Sequence, residues 1–260
     1  MENDILVIGG VEIKNRLIVG TGKFSSYDLI PEIIEKAKID MVTVAIRRAR
    51  DGIQKPLIDY IPKGTKILVN TSGARNAEEA LKIAKIGREL TGSDLIKIEI
   101  IPDTKYLMPD NREVIKACEL LANEGFKPFP YMMPDLVAAK EMVKAGAVCI
   151  MPLGAPIGTN KGLVAKYFIE MLRNEIDLPI IVDAGIGKPS HAAEAMELGV
   201  DAVLVNTAIA TAKDPVNIAI AFSKAVEAGR LGYIAGLPSE KILAEASSPI
   251  DEYLLGFLRK

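Results

Sequence analysis

The chain predicts a single closed (β/α)8 TIM barrel, and three observations predict it. Short β-rich runs alternate with longer helical patterns from one end of the chain to the other. Eight such runs each lead into a crossover, with no long linker between them. The polar residues gather at the C-terminal ends of the strands, where barrel enzymes hold their sites. A doubly wound open sheet shows the same alternation and is the competing architecture. Strand count and polar clustering favour the barrel.

The elements follow in order. "ILVIGGVEI", about residues 5–13, reads as a hairpin ahead of the first barrel strand, placed to plug the bottom. The strands are "LIVG" (17–20), "MVTVA" (41–45), "KILVN" (66–70), "LIKIE" (95–99), "KPFPY" (127–131), "VCIMP" (148–152), "PIIVD" (179–183) and "AVLVN" (202–206). Helical patterns lie near 27–37, 76–90, 111–124, 135–145, 163–174, 189–198 and 215–228. The second crossover, "KPLIDYI", offers a short helix at best. Asn76 reads as a cap followed by first-turn acids, and Asp214 as a cap with Pro215 at the first helical position. A tail of mixed character runs from about 230 to 260, and all of 1–260 is expected to form one domain.

Composition narrows the function. Of 260 residues, 49% are hydrophobic, enough for one large core, and the formal net charge of −2 gives no field for a polyanion. Nucleic acid is therefore not an expected partner. Cys118 and Cys149 form no disulfide framework or metal-ligand spacing, and a lone His191 supports neither a His-rich metal site nor a Ser-His-Asp triad. The N-terminus lacks a basic leader and no apolar run reaches about 20 residues, so a cytoplasmic protein without membrane spans is expected.

The fourth strand carries two charges. Alternate strand residues share a face, so Leu95, Lys97 and Glu99 point one way and Ile96, Ile98 and Ile100 the other. The isoleucines suit the outer helices, which leaves Lys97 and Glu99 in the lumen. This reads either as a structural ion pair or as a Schiff-base lysine with an acid/base partner. To attack a carbonyl the lysine must be neutral. Moving its pKa from about 10.4 to about 7 takes roughly 4–5 kcal/mol, much of which desolvation would supply and an ionised Glu99 would oppose.

Opposite lies an anion grip. "VDAGIGKPSH" puts Asp183 at the rim, across the lumen from Lys97, ahead of a turn with Gly185 and Gly187. Asp183 reads as a second acid/base group or as a cap of that turn. "VNTAIATAKDP" offers Asn206 and Thr207 at the start of a short helical turn, and loops after strands 7 and 8 are the common phosphate site of this barrel. "MPLGAPIGTNKG" adds a glycine-rich rim loop containing Gly158. Together these describe a barrel enzyme that holds a phosphorylated carbonyl compound, with Lys97 at the carbonyl.

Longer stretches narrow this further. "GTGKF" (20–24), "VTVAIRR" (42–48), "NTSGARNAEEA" (70–80), "LIKIEIIPDTKYLMPD" (95–110), "MPLGAPIG" (151–158), "VDAGIG" (182–187), "AMELGVDAVLVNTAIATAKDP" (195–215) and "EAGRLGYIAG" (227–236) resemble the thiazole synthase family of thiamine biosynthesis. The resemblance runs from about residue 5 to the "SSP" at 247–249. It implies formation of the thiazole phosphate carboxylate from 1-deoxy-D-xylulose 5-phosphate, dehydroglycine and the thiocarboxylate of a small ubiquitin-like sulfur-carrier protein. It also implies that Lys97 is the imine-forming lysine, that Glu99 and Asp183 are the acid/base carboxylates, and that Gly158, Ala184, Gly185, Asn206 and Thr207 contact the sugar phosphate. No metal or organic cofactor is implied, and a homo-oligomer, dimer or tetramer, is. Two rim loops depart from the family pattern, with Pro102 in place of the usual glycine and "YMMPD" (131–135) in place of a Thr-rich stretch.

Two other functions use the same features. A class I aldolase on a phosphorylated ketose would also employ Lys97, without a sulfur carrier. A phosphate-binding barrel without turnover would need only the grip, and need not tolerate the desolvation of lumen charges. Arg47, Arg48 and Lys23 at the active rim read as anion contacts or as surface cations, and Asn70 as a pocket residue or a loop cap. Cys149 reads as a core thiol, and neither Cys118 nor His191 is assigned a catalytic role.

Overall fold

A computed structural model of the protein describes residues 4–46, 56–245 and 247. Arg47, Arg48 and the end of the expected tail, from 248 on, lie outside the described residues.

Two short strands open the chain, β1 (Leu6–Ile8) and β2 (Val11–Ile13), paired antiparallel about a Gly9–Gly10 turn. The barrel strands follow: β3 (Leu17–Gly20), β4 (Met41–Ala45), β5 (Lys66–Asn70), β6 (Leu95–Ile98), β7 (Lys127–Met132), β8 (Met151–Pro152), β9 (Ile181–Asp183) and β10 (Ala202–Val205). They form one parallel sheet in the order β8-β7-β6-β5-β4-β3-β10-β9. Parallel bridges Ile150–Ile180 and Leu153–Asp183 join the two ends of that order, so the sheet closes on itself. The expected barrel is the observed architecture.

Between the strands lie α1 (Leu29–Lys36), a 3-10 turn (Leu57–Tyr60), α2 (Ala77–Thr91), α3 (Asn111–Asn123), α4 (Leu136–Lys144), α5 (Lys166–Glu175), α6 (Pro189–Glu197), α7 (Thr207–Ala210) and α8 (Pro215–Ala235). Local chemistry sets their starts. The side chains of Asn76, Asp110, Asp135 and Asp214 each accept a backbone N–H from the first turn of the helix they cap. Among the described residues, the second crossover holds the 3-10 turn and no α-helix.

Burial divides the strand residues into two sets. Ile96, Ile98 and Ile100 pack outward with the helices, while Leu95 joins Ile18, Met41, Leu68, Phe129, Met151 and Ile181 inside the barrel. Leu6, Ile8 and Ile13 of the hairpin belong to that inner set, and Gly9 sits beside Leu95, Lys127 and Val148 at the strand starts. The hairpin is the bottom plug the sequence suggests. Among the described residues, no helix is long and apolar enough to cross a membrane.

One boundary differs from expectation. α8 continues through "AGRLGYIA" to Ala235, whereas the pattern suggests an end near 228 and a tail from about 230. Gly229, inside that extension, is a packing residue. A Cβ there would lie 2.4 Å from the Ala193 carbonyl oxygen and 2.9 Å from Met196 Cβ, both on α6. Glycine lets the two helices touch, and that contact outweighs its poor helix propensity.

Candidate active site

At the C-terminal rim the strands enclose a cavity of about 750 Å3. Its floor is charged. Lys97, Glu99 and Asp183 are all buried, with relative exposures of 5%, 9% and 3%. The alternation along β6 sends the Lys97 side chain inward, and Glu99 follows one pleat higher. Asp183 ends β9 on the far side of the lumen. The Lys97 ammonium contacts Asp183 Oδ2 and lies 3.5 Å from Glu99 Oε2. The three residues thus meet, as the sequence places them.

Asn70, whose role the sequence leaves open between pocket and cap, serves both. Its Nδ2 donates to Glu99 Oε2 at 2.9 Å, and its Oδ1 accepts from the Ser72 N–H at 2.8 Å. The Glu99 N–H donates to Thr71 Oγ1 at 2.9 Å, so Glu99 is fixed by backbone and side chain together.

Electrostatics decides the protonation of the lysine. Burial pulls the Lys97 pKa down, but the facing Asp183 and Glu99 carboxylates outweigh it and hold the ammonium above its ordinary range. Desolvation does press the lysine downward as expected, and Asp183 joins Glu99 in opposing it. With two buried carboxylates opposite, the charged form wins. Burial raises Asp183 above the usual carboxylate range, with Lys97 opposing. A carboxylate so placed is suited to take and return a proton.

The opposite end of the cavity is built from loops. Gly158, Ala184, Gly185, Asn206 and Thr207 all line it. Ala184 and Gly185 both take left-handed backbone, at φ 65° and 80°. A Cβ on Gly185 would lie 2.5 Å from the Ala155 nitrogen, so the loop after β9 can press against the loop after β8 only with glycine there. Asn206, with its amide nitrogen toward the carbonyls, donates to Gly22 O at 2.7 Å and Gly20 O at 3.1 Å. This ties the loop after β3 to the loop after β10. On that tied loop Lys23 adopts φ 67°, and its Nζ donates to Thr207 Oγ1 at 3.3 Å.

Lys23, though exposed, thereby lines the cavity. Arg75, at the same rim, pairs with Glu79 at 2.7 Å. Sequence reasoning missed Tyr131, which is wholly buried and has Lys97 Nζ 5.2 Å from its ring centroid. The signal was present, since Tyr131 alternates with Phe129 on the inward face of β7, but "YMMPD" reads as loop. Cys149 is a buried core thiol as expected, and His191 Nδ1 accepts from the Gly187 N–H at 3.2 Å, a structural role in the first turn of α6.

Comparison with known proteins fixes the family. Residues 7–249 match the family described as "Thiazole biosynthesis protein ThiG". The chain belongs to the ThiG family. It is an enzyme of thiazole biosynthesis. Among its relatives is a protein named thiazole synthase from Campylobacter jejuni strain RM1221, 60% identical over 259 residues, 100% of this chain and 98% of the relative. Another of that name, from Clostridium kluyveri, is 56% identical over 257 residues, 98% of this chain and all of the relative. A crystal structure of the Amycolatopsis orientalis BexX/CysO complex contains a chain 31% identical, with a TM-score of 0.81, covering 92% of this chain and 98% of that one. Orotidine 5'-monophosphate decarboxylase from Sulfolobus solfataricus, 14% identical with a TM-score of 0.56 over 84% of this chain and all of its own, shares the fold alone.

Proposed function

We propose that this ThiG-family enzyme forms the thiazole phosphate carboxylate of thiamine through an imine at Lys97. The carrying observation is the placement of Lys97, a buried amine touching one carboxylate and 3.5 Å from another, on the floor of a cavity whose far end is lined by glycine-rich loops. Those loops, with Gly158, Ala184, Gly185, Asn206 and Thr207, hold the phosphate of 1-deoxy-D-xylulose 5-phosphate by backbone N–H groups. Lys23, beside Thr207, supplies a cation to it.

The chemistry follows from the charges. Lys97 passes a proton to Asp183, whose raised pKa lessens the cost of that transfer, and the free amine attacks the ketone. Loss of water gives the imine. A carboxylate then removes a proton from the adjacent carbon and a proton is returned, so that the carbonyl moves to that carbon. Glu99, held by Asn70 and Thr71, and Asp183 are the two groups in place to do so. The thiocarboxylate of a small ubiquitin-like sulfur carrier adds there, dehydroglycine enters, and the ring closes as its nitrogen displaces Lys97, with loss of water and release of the carrier. The related BexX structure, solved in complex with CysO, supports a protein partner at this fold. Exposed Tyr167 and Phe168 on α5 and Leu231 and Ile234 on α8 support a homo-oligomer.

Borohydride trapping tests the imine. Incubation with 1-deoxy-D-xylulose 5-phosphate and reduction is expected to leave a mass-labelled peptide carrying Lys97. Lys97→Arg, which keeps the charge against Asp183, is expected to leave none. Ligand binding without any adduct would return Lys97 to a structural ion pair, and an adduct with no sulfur-dependent product would favour an aldolase.

A further inference from the structure

The Lys97 site has a neighbour that the reaction outlined above does not use. Tyr131 is among the largest fully buried side chains, and its hydroxyl has no hydrogen-bond partner among the described residues. Leaving a buried hydroxyl unpaired costs free energy, and a phenylalanine would fill the same space without that cost. The hydroxyl lies inside the charged layer. β7 pairs with β6 so that Ile98 stands opposite Pro130, which sets Tyr131 level with Glu99, on the inward face. Its ring faces the Lys97 ammonium at 5.2 Å.

The titratable groups facing it are Lys97 and Glu99 from β6 and Asp183 from β9; β8, in between, presents Met151, with the buried Cys149 thiol below. Burial, then the two carboxylates, push the phenol pKa up, so the group stays an O–H donor at every working pH. It does not line the cavity and so does not reach substrate.

This arrangement matters once the chemistry starts. At rest the Lys97 ammonium satisfies Asp183 and lies near Glu99. On forming an imine, Lys97 turns toward substrate and its protons leave the carboxylates. We infer that Tyr131 is a positioning residue, whose O–H then donates to the carboxylate that Lys97 gives up and holds it aimed for the proton transfer. The inference rests on the imine reading above.

The test is Tyr131→Phe, an isosteric change, read by deuterium exchange. Enzyme and 1-deoxy-D-xylulose 5-phosphate in D2O, without carrier, exchange the hydrogen on the carbon next to the imine each time the imine tautomerises, and mass spectrometry counts the label. In the variant, trapping by borohydride is expected to persist and the Tm to hold or rise. Exchange at neutral pH is expected to fall roughly tenfold or more, the size of a lost hydrogen bond to a charged group. Because the lost donor favoured the ionised carboxylate, its pKa rises, so the acid limb of the pH profile moves to higher pH and exchange recovers in alkali.

An exchange profile unchanged from wild type would overturn the inference. So would a fall that is uniform across pH and accompanied by a lower Tm, since that is a packing defect. Wild-type enzyme that neither traps nor exchanges would sink the imine reading itself, and this inference with it.

Discussion

Burial alone would lower the Lys97 pKa; Asp183 and Glu99 hold it above its ordinary range. The cluster is therefore interdependent, and removing its cation exposes the cost of the carboxylates. Lys97→Ala is expected to lose about 3–5 kcal/mol at neutral pH, the usual cost of breaking a buried pair. The sign with pH follows from the same groups. Without Lys97, the burial that raises the folded-state pKa of Asp183 is no longer opposed by a cation. The variant is then most stable below the unfolded carboxylate value and loses stability as pH rises through the raised folded one. Denaturant titrations of both proteins across pH 4–8 check this. The variant should recover on acidification, and a deficit constant over that range would contradict it. At this scale the sequence was highly legible. Strand alternation alone pointed Lys97 and Glu99 inward and Asp183 toward them. It could not weigh burial against two carboxylates, because that balance depends on distances across the lumen.

The strands and helix starts were also legible, since caps and periodicity act over a few residues. Asn76 and Asp214 cap their helices as read. Helix ends were less so. The helical pattern ends near 228, and only the contact of Gly229 with Ala193 of α6 explains its place inside α8. Gly229→Ala improves local helix propensity yet is expected to destabilise by about 1–3 kcal/mol, because the added methyl has no room. Thermal unfolding checks the direction, and a rise in Tm would show that the contact relaxes freely. Asp4 marks the same helix: its carboxylate accepts from Arg230 at 2.8 and 2.9 Å and from Arg16 at 2.8 Å, tying the chain start to α8. Nothing local in the sequence announces a pairing across 226 residues.

For the whole molecule, closure of the barrel makes the site, and the faces outside it remain to be covered. Tyr167 is 68% exposed and Phe168 50%, on a helix whose other side packs against the barrel. Sedimentation of the protein is expected to give a dimer or tetramer, and Phe168→Glu a smaller species with its trapping at Lys97 intact. A monomer at all concentrations would rule the assembly out.

The eight-strand alternation, the hairpin plug, the inward charges and the family motifs are legible in the chain alone, because each is a matter of spacing along a few residues. Tertiary structure decided which partner each charge meets: Asp183 against Lys97, Asn70 against Glu99, Asn206 against the carbonyls of Gly20 and Gly22, Lys23 beside Thr207. It also decided that the Tyr131 ring faces the lysine. These are contacts between strands far apart in the chain, fixed by barrel closure and register, and no local pattern encodes them.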